Sequence, residues 1–260
     1  MIEVRNVTQS IQGKEILHDI TVTIQRGKLT SLIGPNGAGK STLLSAISRI
    51  VKHNQGEIVI EGHAIKDFNH NDLAKKLSIL KQSNHTDMNI TVEQLVQFGR
   101  FPYCKGRLNK DDMEHVESAI KLLNLQHIRD RNIKALSGGQ RQRAYIAMTI
   151  AQDTDYILLD EPLNNLDMKH SVQIMQTLKR LCRDFNKTIV IVLHDINFAS
   201  CYSDYIIALK DGYVIKEGVK DQVIDSHILN RLYDMSVAIE EIRGQKICLY
   251  FNNDDLLSKI

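Results

Sequence analysis

Along the first third of the chain, hydrophobic and polar positions alternate. Ile2, Val4 and Val7 begin the pattern, Ile20, Val22 and Ile24 repeat it, and Ile58 and Ile60 return to it after Gly56. A period of two buries one face and wets the other, which predicts antiparallel strands. Between them an unbroken apolar run, Leu29 to Ile33, meets Gly34. Apolar residues then recur at Leu43, Leu44, Ile47, Ile50 and Val51, so the stretch reads as strand, glycine loop and a helix over Ser41 to Val51.

From about Ser83 to Gln152 the period lengthens to three and four. Asn109 is placed to cap a helix burying Met113, Val116, Ile120 and Leu123; Ser137 is placed to cap another burying Ala144, Ala147, Met148 and Ala151. Buried-strand patterns return at Tyr156 to Asp160 and Thr188 to His194. The helix between them is expected to turn Met168, Val172, Met175, Leu178 and Cys182 inward. Strand, helix, strand predicts a right-handed parallel crossover. Asp211-Gly212, between Tyr205–Lys210 and Tyr213–Glu217, predicts a hairpin turn. No repeat or flexible linker interrupts this order. The expectation is one α/β domain over residues 1–260, with an antiparallel β subdomain and a helical subdomain of approximately residues 83–152 inserted in the core.

Composition narrows the function classes. Formal charge is +2, from 33 basic and 31 acidic side chains. That balance gives no electrostatic reason to expect a nucleic-acid partner. A local basic cluster (Arg129, Arg131, Lys134, Arg141, Arg143) is explained equally well by a solvated helix face. Cys104, Cys182, Cys201 and Cys248 form no C-x-x-C pair, which argues against a disulfide framework or zinc site and for a reducing cytoplasm. The N-terminus, Met-Ile-Glu-Val-Arg, lacks the apolar core of a signal peptide, and no apolar run approaches the ~20 residues that span a bilayer. Membrane association is therefore expected to go through another protein.

Gly34-Pro35-Asn36-Gly37-Ala38-Gly39-Lys40-Ser41 fits G-x-x-x-x-G-K-[ST]. Several backbone N–H groups must turn towards one anion, and a Cβ would obstruct that approach, so the pattern needs glycine. The start of the following helix favours the same anion. Lys40 is expected to reach the β- and γ-phosphates of ATP, Ser41 to ligate Mg²⁺, and Thr42 to donate to the α-phosphate. This is the P-loop of a nucleotide-binding core. Further on, the apolar Tyr156-Ile157-Leu158-Leu159 ends in Asp160-Glu161. Asp160 is expected to hold Mg²⁺ through water, and Glu161 to orient and deprotonate the attacking water.

Leu136-Ser137-Gly138-Gly139-Gln140 is a helix start with a serine cap and two glycines, which offers a second anion site. With the two preceding motifs in this order, the chain resembles the ABC ATPase family over nearly its whole length. The resemblance implies a P-loop NTPase core of the ABC cassette type. It also implies that Gln82, in Leu80-Lys81-Gln82-Ser83, senses Mg²⁺ and the attacking water and links to the transporter. His194, in Val192-Leu193-His194-Asp195, matches the histidine that contacts the γ-phosphate. Asp167, in Asn165-Leu166-Asp167, matches the loop that crosses a dimer interface. In this family the signature of one subunit covers the nucleotide held by the other, so a homodimer sandwiching ATP is implied. One departure stands out: Ile11 occupies the place where the family stacks adenine on an aromatic side chain. Leu163 also replaces a usual Thr or Ser.

Three further stretches look like the ATPases of bacterial iron–siderophore importers, a group shared with haem and cobalamin uptake. They are Thr91–Val96 leading to Gly99–Tyr103, Arg141–Met148, and His194–Ala199 leading to Tyr202–Asp204. That resemblance implies a peripheral subunit on the cytoplasmic side of the cell membrane, bound to transmembrane permease subunits and served indirectly by an extracytoplasmic substrate-binding protein. The competing class is a non-transport ABC ATPase of DNA repair, chromosome organisation or translation. Such proteins usually carry a long coiled coil, a zinc module or a second cassette, none of which appears here. The ATPase of another importer or an exporter shares the same engine.

Overall fold

Val and Ile alternate with polar residues at the N-terminus because these strands have one wet face. The computed structural model describes residues 1–82 and 88–251, and contacts divide the chain into two units, Met1–Asp67 with Val190–Ile260, and Phe68–Ile189. The suggested start of the helical insertion, Ser83, lies outside the described residues.

The first unit opens with β1 (Ile2–Ile11) and β2 (Lys14–Ile24), then β3 (Leu29–Ile33), α1 (Lys40–Ile47), β4 (Gln55–Ile60) and β5 (His63–Ala64). Strands in the order β2-β1-β4-β5 form a sheet, with β1 antiparallel to both β2 and β4, as the alternation predicts. Ile2, Val4, Val7, Ile20, Val22, Ile24, Ile58 and Ile60 are all buried. The helix after Gly34 is shorter than its apolar pattern predicts. It stops at Ile47, Arg49 adopts a left-handed φ of 58°, and Ile50 is left 46% exposed.

The second unit contains α2 (His70–Lys76), β6 (Leu77–Leu80), α3 (Val92–Gln97), α4 (Phe101–Cys104), α5 (Lys110–Leu122), α6 (Gly138–Ala151), β7 (Tyr156–Leu159) and α7 (Met168–Phe185). Strands β6 and β7 pair in parallel, Leu77 opposite Tyr156 through Leu80 opposite Leu159. Asn109 caps α5 and Ser137 caps α6, each in a reciprocal capping box. Arg100 and Asp112 pair inside the helical layer at 3.0 Å with both side chains almost fully enclosed. In α7, Met175, Leu178 and Cys182 are buried as expected, joined by Ile174 and Leu181, but Met168 is 80% exposed. It is the first helical residue, one turn short of the buried stripe.

The basic cluster is divided: Arg131 and Lys134 are exposed, as a solvated face predicts, while others turn inward. Arg143 is buried and donates to the carbonyl of Leu123 at 3.2 Å, while Arg129 bonds Glu93 and Glu117. Arg129 and Arg143 thus spend their donors within the fold.

β8 (Thr188–Val192) leaves the second unit and re-enters the first, followed by α8 (Ile196–Tyr202), β9 (Tyr205–Lys210), β10 (Tyr213–Val219), α9 (Lys220–Val223), α10 (Ser226–Tyr233), β11 (Ala238–Ile242) and β12 (Gln245–Leu249). Here β3 pairs with β9 in parallel, and β9 with β10 as a hairpin. Asp211 (φ 49°) and Gly212 (φ 80°) form the turn, both left-handed as a two-residue hairpin loop demands. Among the described residues, no helix is long and apolar enough to cross a membrane.

Candidate functional site

In the first unit, residues 34–39 carry the chain from β3 into α1. Among the described residues, every other helix of six or more residues has a side chain capping its first turn. At α1 the capping position is Gly39, which makes no side-chain cap bond. Orphan N–H groups at a helix start attract an anion. Glycine is required by contact as well as by φ. At Gly34 (φ 143°) a Cβ would lie 1.9 Å from the Leu209 carbonyl oxygen, and at Gly39 (φ 95°) 2.7 Å from Leu17 Cδ2.

Lys40 is buried beneath this loop, and its Nζ donates to the carbonyls of Gly34 and Pro35, both at 2.8 Å. The ammonium is thus held at the concave loop by carbonyl oxygens, where a phosphate would compete for it. Ser41 and Thr42 occupy the first turn of α1. A helix start with glycine at its capping position, a buried cation and two hydroxyls fit a triphosphate with its Mg²⁺. Ile11 ends β1 and is 42% exposed. Its aliphatic side chain can cover a base without stacking on it. His194 is exposed beyond β8, and the next residue, Asp195, caps α8 by accepting from Asn197 N at 2.7 Å and Phe198 N at 3.3 Å.

In the second unit, β7 delivers Asp160 and Glu161 to its C-terminal end. Both are buried, and Asp160 N donates to Leu80 O at 2.9 Å, extending the β6–β7 pairing by one residue. Glu161 then leaves the strand with φ 50°, a left-handed conformation that costs a non-glycine residue free energy. Gln82, just after β6, donates from Nε2 to Glu161 Oε2 at 2.8 Å, and Asn164 Nδ2 donates to the same oxygen at 2.6 Å. Asn164 was not legible as a site residue. Only its position in the turn closed by Asn164 N donating to Glu161 O, 3.3 Å, could have pointed to it.

The signature helix start is built differently from a bare anion nest. Ser137 Oγ accepts from Gln140 N at 3.3 Å, and Gln140 Oε1 accepts from Ser137 N at 3.1 Å. The hydroxyl proton of Ser137 is not used by this cap. Gly138 and Gly139 also have a packing reason: a Cβ on Gly139 would meet the Asn165 carbonyl at 3.1 Å and Leu166 Cδ2 at 3.3 Å. The signature therefore lies directly against the Asn165–Leu166 loop of its own chain. Asp167 caps α7, and His170, through its backbone N–H and its ring, holds the Asp167 carboxyl below the usual carboxylate range.

The ABC transporter family model matches residues 17–164, from within β2 through the Glu161 turn. The chain belongs to the ABC transporter family. As an ABC cassette it binds and hydrolyses ATP. It is 56% identical over 252 residues to the petrobactin import ATP-binding protein YclP of Bacillus subtilis, covering 97% of this chain and all of the relative. It is 41% identical to the iron(3+)-hydroxamate import ATP-binding protein FhuC of the same organism, covering 91% and 90% of the two chains. Among solved structures, an ATP-binding cassette dimer in a post-hydrolysis state with ADP and phosphate superposes with a TM-score of 0.76 at 32% identity, over 85% of this chain and 99% of the other. An inward-facing transporter of putative metal-chelate type shares the fold at TM-score 0.81 and 24% identity, over 96% and 98%.

Proposed function

We propose that this ABC cassette powers import of an iron–siderophore complex, acting as a homodimer on the cytoplasmic face of a membrane permease that an extracytoplasmic binding protein supplies. The observation that carries this reading is full-length identity of 56% to a petrobactin import subunit, with a hydroxamate import subunit at 41%. In this reading the chain never touches iron. It supplies closure and reopening of the nucleotide sandwich, and differential binding of ATP to the closed dimer provides the free energy.

Within that engine the residues take distinct roles. The backbone N–H groups of the 34–39 loop, Pro35 excepted, and the ammonium of Lys40 bind the β- and γ-phosphates, and Thr42 binds the α-phosphate. Ser41, Asp160 and Gln82 would hold Mg²⁺, which neutralises charge on the phosphates during transfer. Glu161 takes the proton from the attacking water, with Gln82 and Asn164 fixing its carboxylate. His194 contacts the γ-phosphate. Ser137, Gly138, Gly139 and Gln140 of one subunit cover the nucleotide of the other, and Asp167 stands in the loop crossing between subunits. The inserted helices of residues 83–152 and the Gln82 loop meet the permease.

The test is uptake of iron-loaded petrobactin in cells lacking this gene. Loss of uptake, restored by the wild-type chain and not by Glu161→Gln, supports the assignment. Unchanged uptake of petrobactin and of hydroxamate complexes would move the chain to another transport or non-transport system.

A further inference from the structure

Glu161 stands in a turn that its own residue type does not favour. Both Glu161 (φ 50°) and Asn165 (φ 64°) are left-handed. Asparagine visits that region at little cost; a glutamate does not, and it keeps the conformation only where the surrounding structure over-determines it. Within the turn, Asn164 N donates to Glu161 O at 3.3 Å and Leu166 N to Leu163 O at 3.2 Å. Both bonds are at the long end of the hydrogen-bond range. That is a weak hold on a base, since misplacing a reacting group by about 1 Å costs up to about a hundredfold in rate.

The rest of the hold comes from α6. Gln142 lies four residues after Gly138 and three after Gly139, so the three share one face of that helix. At the two glycines the missing Cβ lets the turn come close. An added Cβ would stand 3.4 Å from Asn165 Cβ at Gly138, and 3.1 Å from the Asn165 carbonyl oxygen at Gly139. One helical turn further on, Gln142 Nε2 donates to the carbonyl of Pro162 at 3.1 Å. Glu161 and Pro162 are buried, and Gln142 is partly buried. A carbonyl left without a donor inside the fold costs free energy, so this bond fixes the peptide that follows the base's immediate neighbour.

Glu161 is thereby held from two directions. Gln82 Nε2 and Asn164 Nδ2 donate to its Oε2, and Gln142 holds the backbone one residue on. We propose that Gln142 is a positioning residue of ATP hydrolysis: from the face of the signature helix it holds the turn that aims Glu161 at the attacking water. The helix whose start covers the partner's nucleotide is then also the template for the base of its own subunit. This rests on the reading of Glu161 as the base, and adds to it a residue that acts only through the turn.

Two variants of the full chain test it. Gln142→Met keeps the length of the side chain and removes the donor; Gln142→Glu keeps the shape and sets an acceptor against the carbonyl. In steady-state phosphate release, kcat is expected to fall about tenfold, the equivalent of one hydrogen bond, with KM for Mg-ATP within about twofold of wild type. Placed in Glu161→Gln, the same substitutions are expected to leave its slow single-turnover rate unchanged, because the base is already absent there. A wild-type kcat in a folded variant overturns the inference. So does a further loss of about tenfold in the Glu161→Gln background, which makes Gln142 a support of the structure and not of the base. Should Gln142→Met fail to fold, Gln142→Glu carries the same comparison; loss of folding in both also overturns the inference. A Glu161→Gln protein that turns over as fast as wild type refutes instead the base assignment beneath it.

Discussion

Gln82 and Glu161 meet at 2.8 Å, Nε2 to Oε2, although 79 positions separate them in sequence. Asn164 converges on the same oxygen at 2.6 Å. Two amide donors on one oxygen fix the carboxylate that is to take a proton from water. Glu161→Gln removes the base while keeping the shape, so steady-state ATP turnover should fall by about 10²–10⁴-fold with nucleotide binding retained. Asn164→Ala should reduce kcat with little change in KM, because it frees the carboxylate without touching the phosphates. A phosphate-release assay on both variants checks this, and a wild-type kcat in either contradicts it.

The signature glycines should respond unequally to the same substitution. At Gly138 an added Cβ meets Asn165 Cβ at 3.4 Å, an ordinary contact, whereas at Gly139 it meets a carbonyl at 3.1 Å. Gly138→Ala is expected to leave the unfolding midpoint nearly unchanged, and Gly139→Ala to lower it by about 1 kcal/mol equivalent, within the range for overpacking. Differential scanning calorimetry of the two variants separates them. Gly34→Ala has no such tolerance, with a backbone oxygen 1.9 Å away; it should lose nucleotide binding.

Asp112 and Arg100 give the helical layer an acid-sensitive lock. Burial alone would raise the Asp112 carboxyl, but the bond from the Asn109 backbone and then the Arg100 guanidinium outweigh it and hold it below its ordinary value. A carboxyl depressed on folding contributes stability that is full above its unfolded pKa, about 3.9, and is lost as pH falls through the folded value. Removing one partner of a buried pair costs about 3–5 kcal/mol. Asp112→Asn should therefore unfold more easily at pH 7 and show a flatter loss of stability below about pH 4. Urea unfolding at pH 7 and pH 3 measures both; parallel curves for variant and wild type would contradict the role given to Asp112.

Ile11 makes a prediction about the nucleobase. Aromatic stacking on a base is worth roughly 1–3 kcal/mol, and Ile11 is exposed enough to accept a ring without repacking the core. Ile11→Tyr should tighten ATP binding about tenfold and leave tripolyphosphate binding unchanged. Titration calorimetry with the two ligands decides it.

Much of this was legible in the sequence because local rules fix it. The phosphate loop needs glycine at three positions of positive φ, the caps at Asn109 and Ser137 satisfy helix amides, and Asp211-Gly212 is a turn on chemical grounds alone. What periodicity could not show depends on long-range packing. Ile50 looks like the next buried residue of α1, yet the helix ends before it. Arg143 looks like a surface charge, yet its guanidinium reaches the end of α5. Asn164 carries no pattern at all; only the left-handed turn at Glu161 brings its amide round to the carboxylate. The second duty of Gly139, admitting the Asn165 carbonyl, was equally hidden.

The account turns on two anion-receptive loops from different subunits closing over ATP, with Glu161 ending that state. Sedimentation of the Glu161→Gln protein with saturating Mg-ATP tests it most directly. A particle of twice the single-chain mass, which returns to one chain when Ser137 is replaced by Arg, is the predicted result. A Glu161→Gln protein that binds ATP and still sediments as a single chain would contradict it.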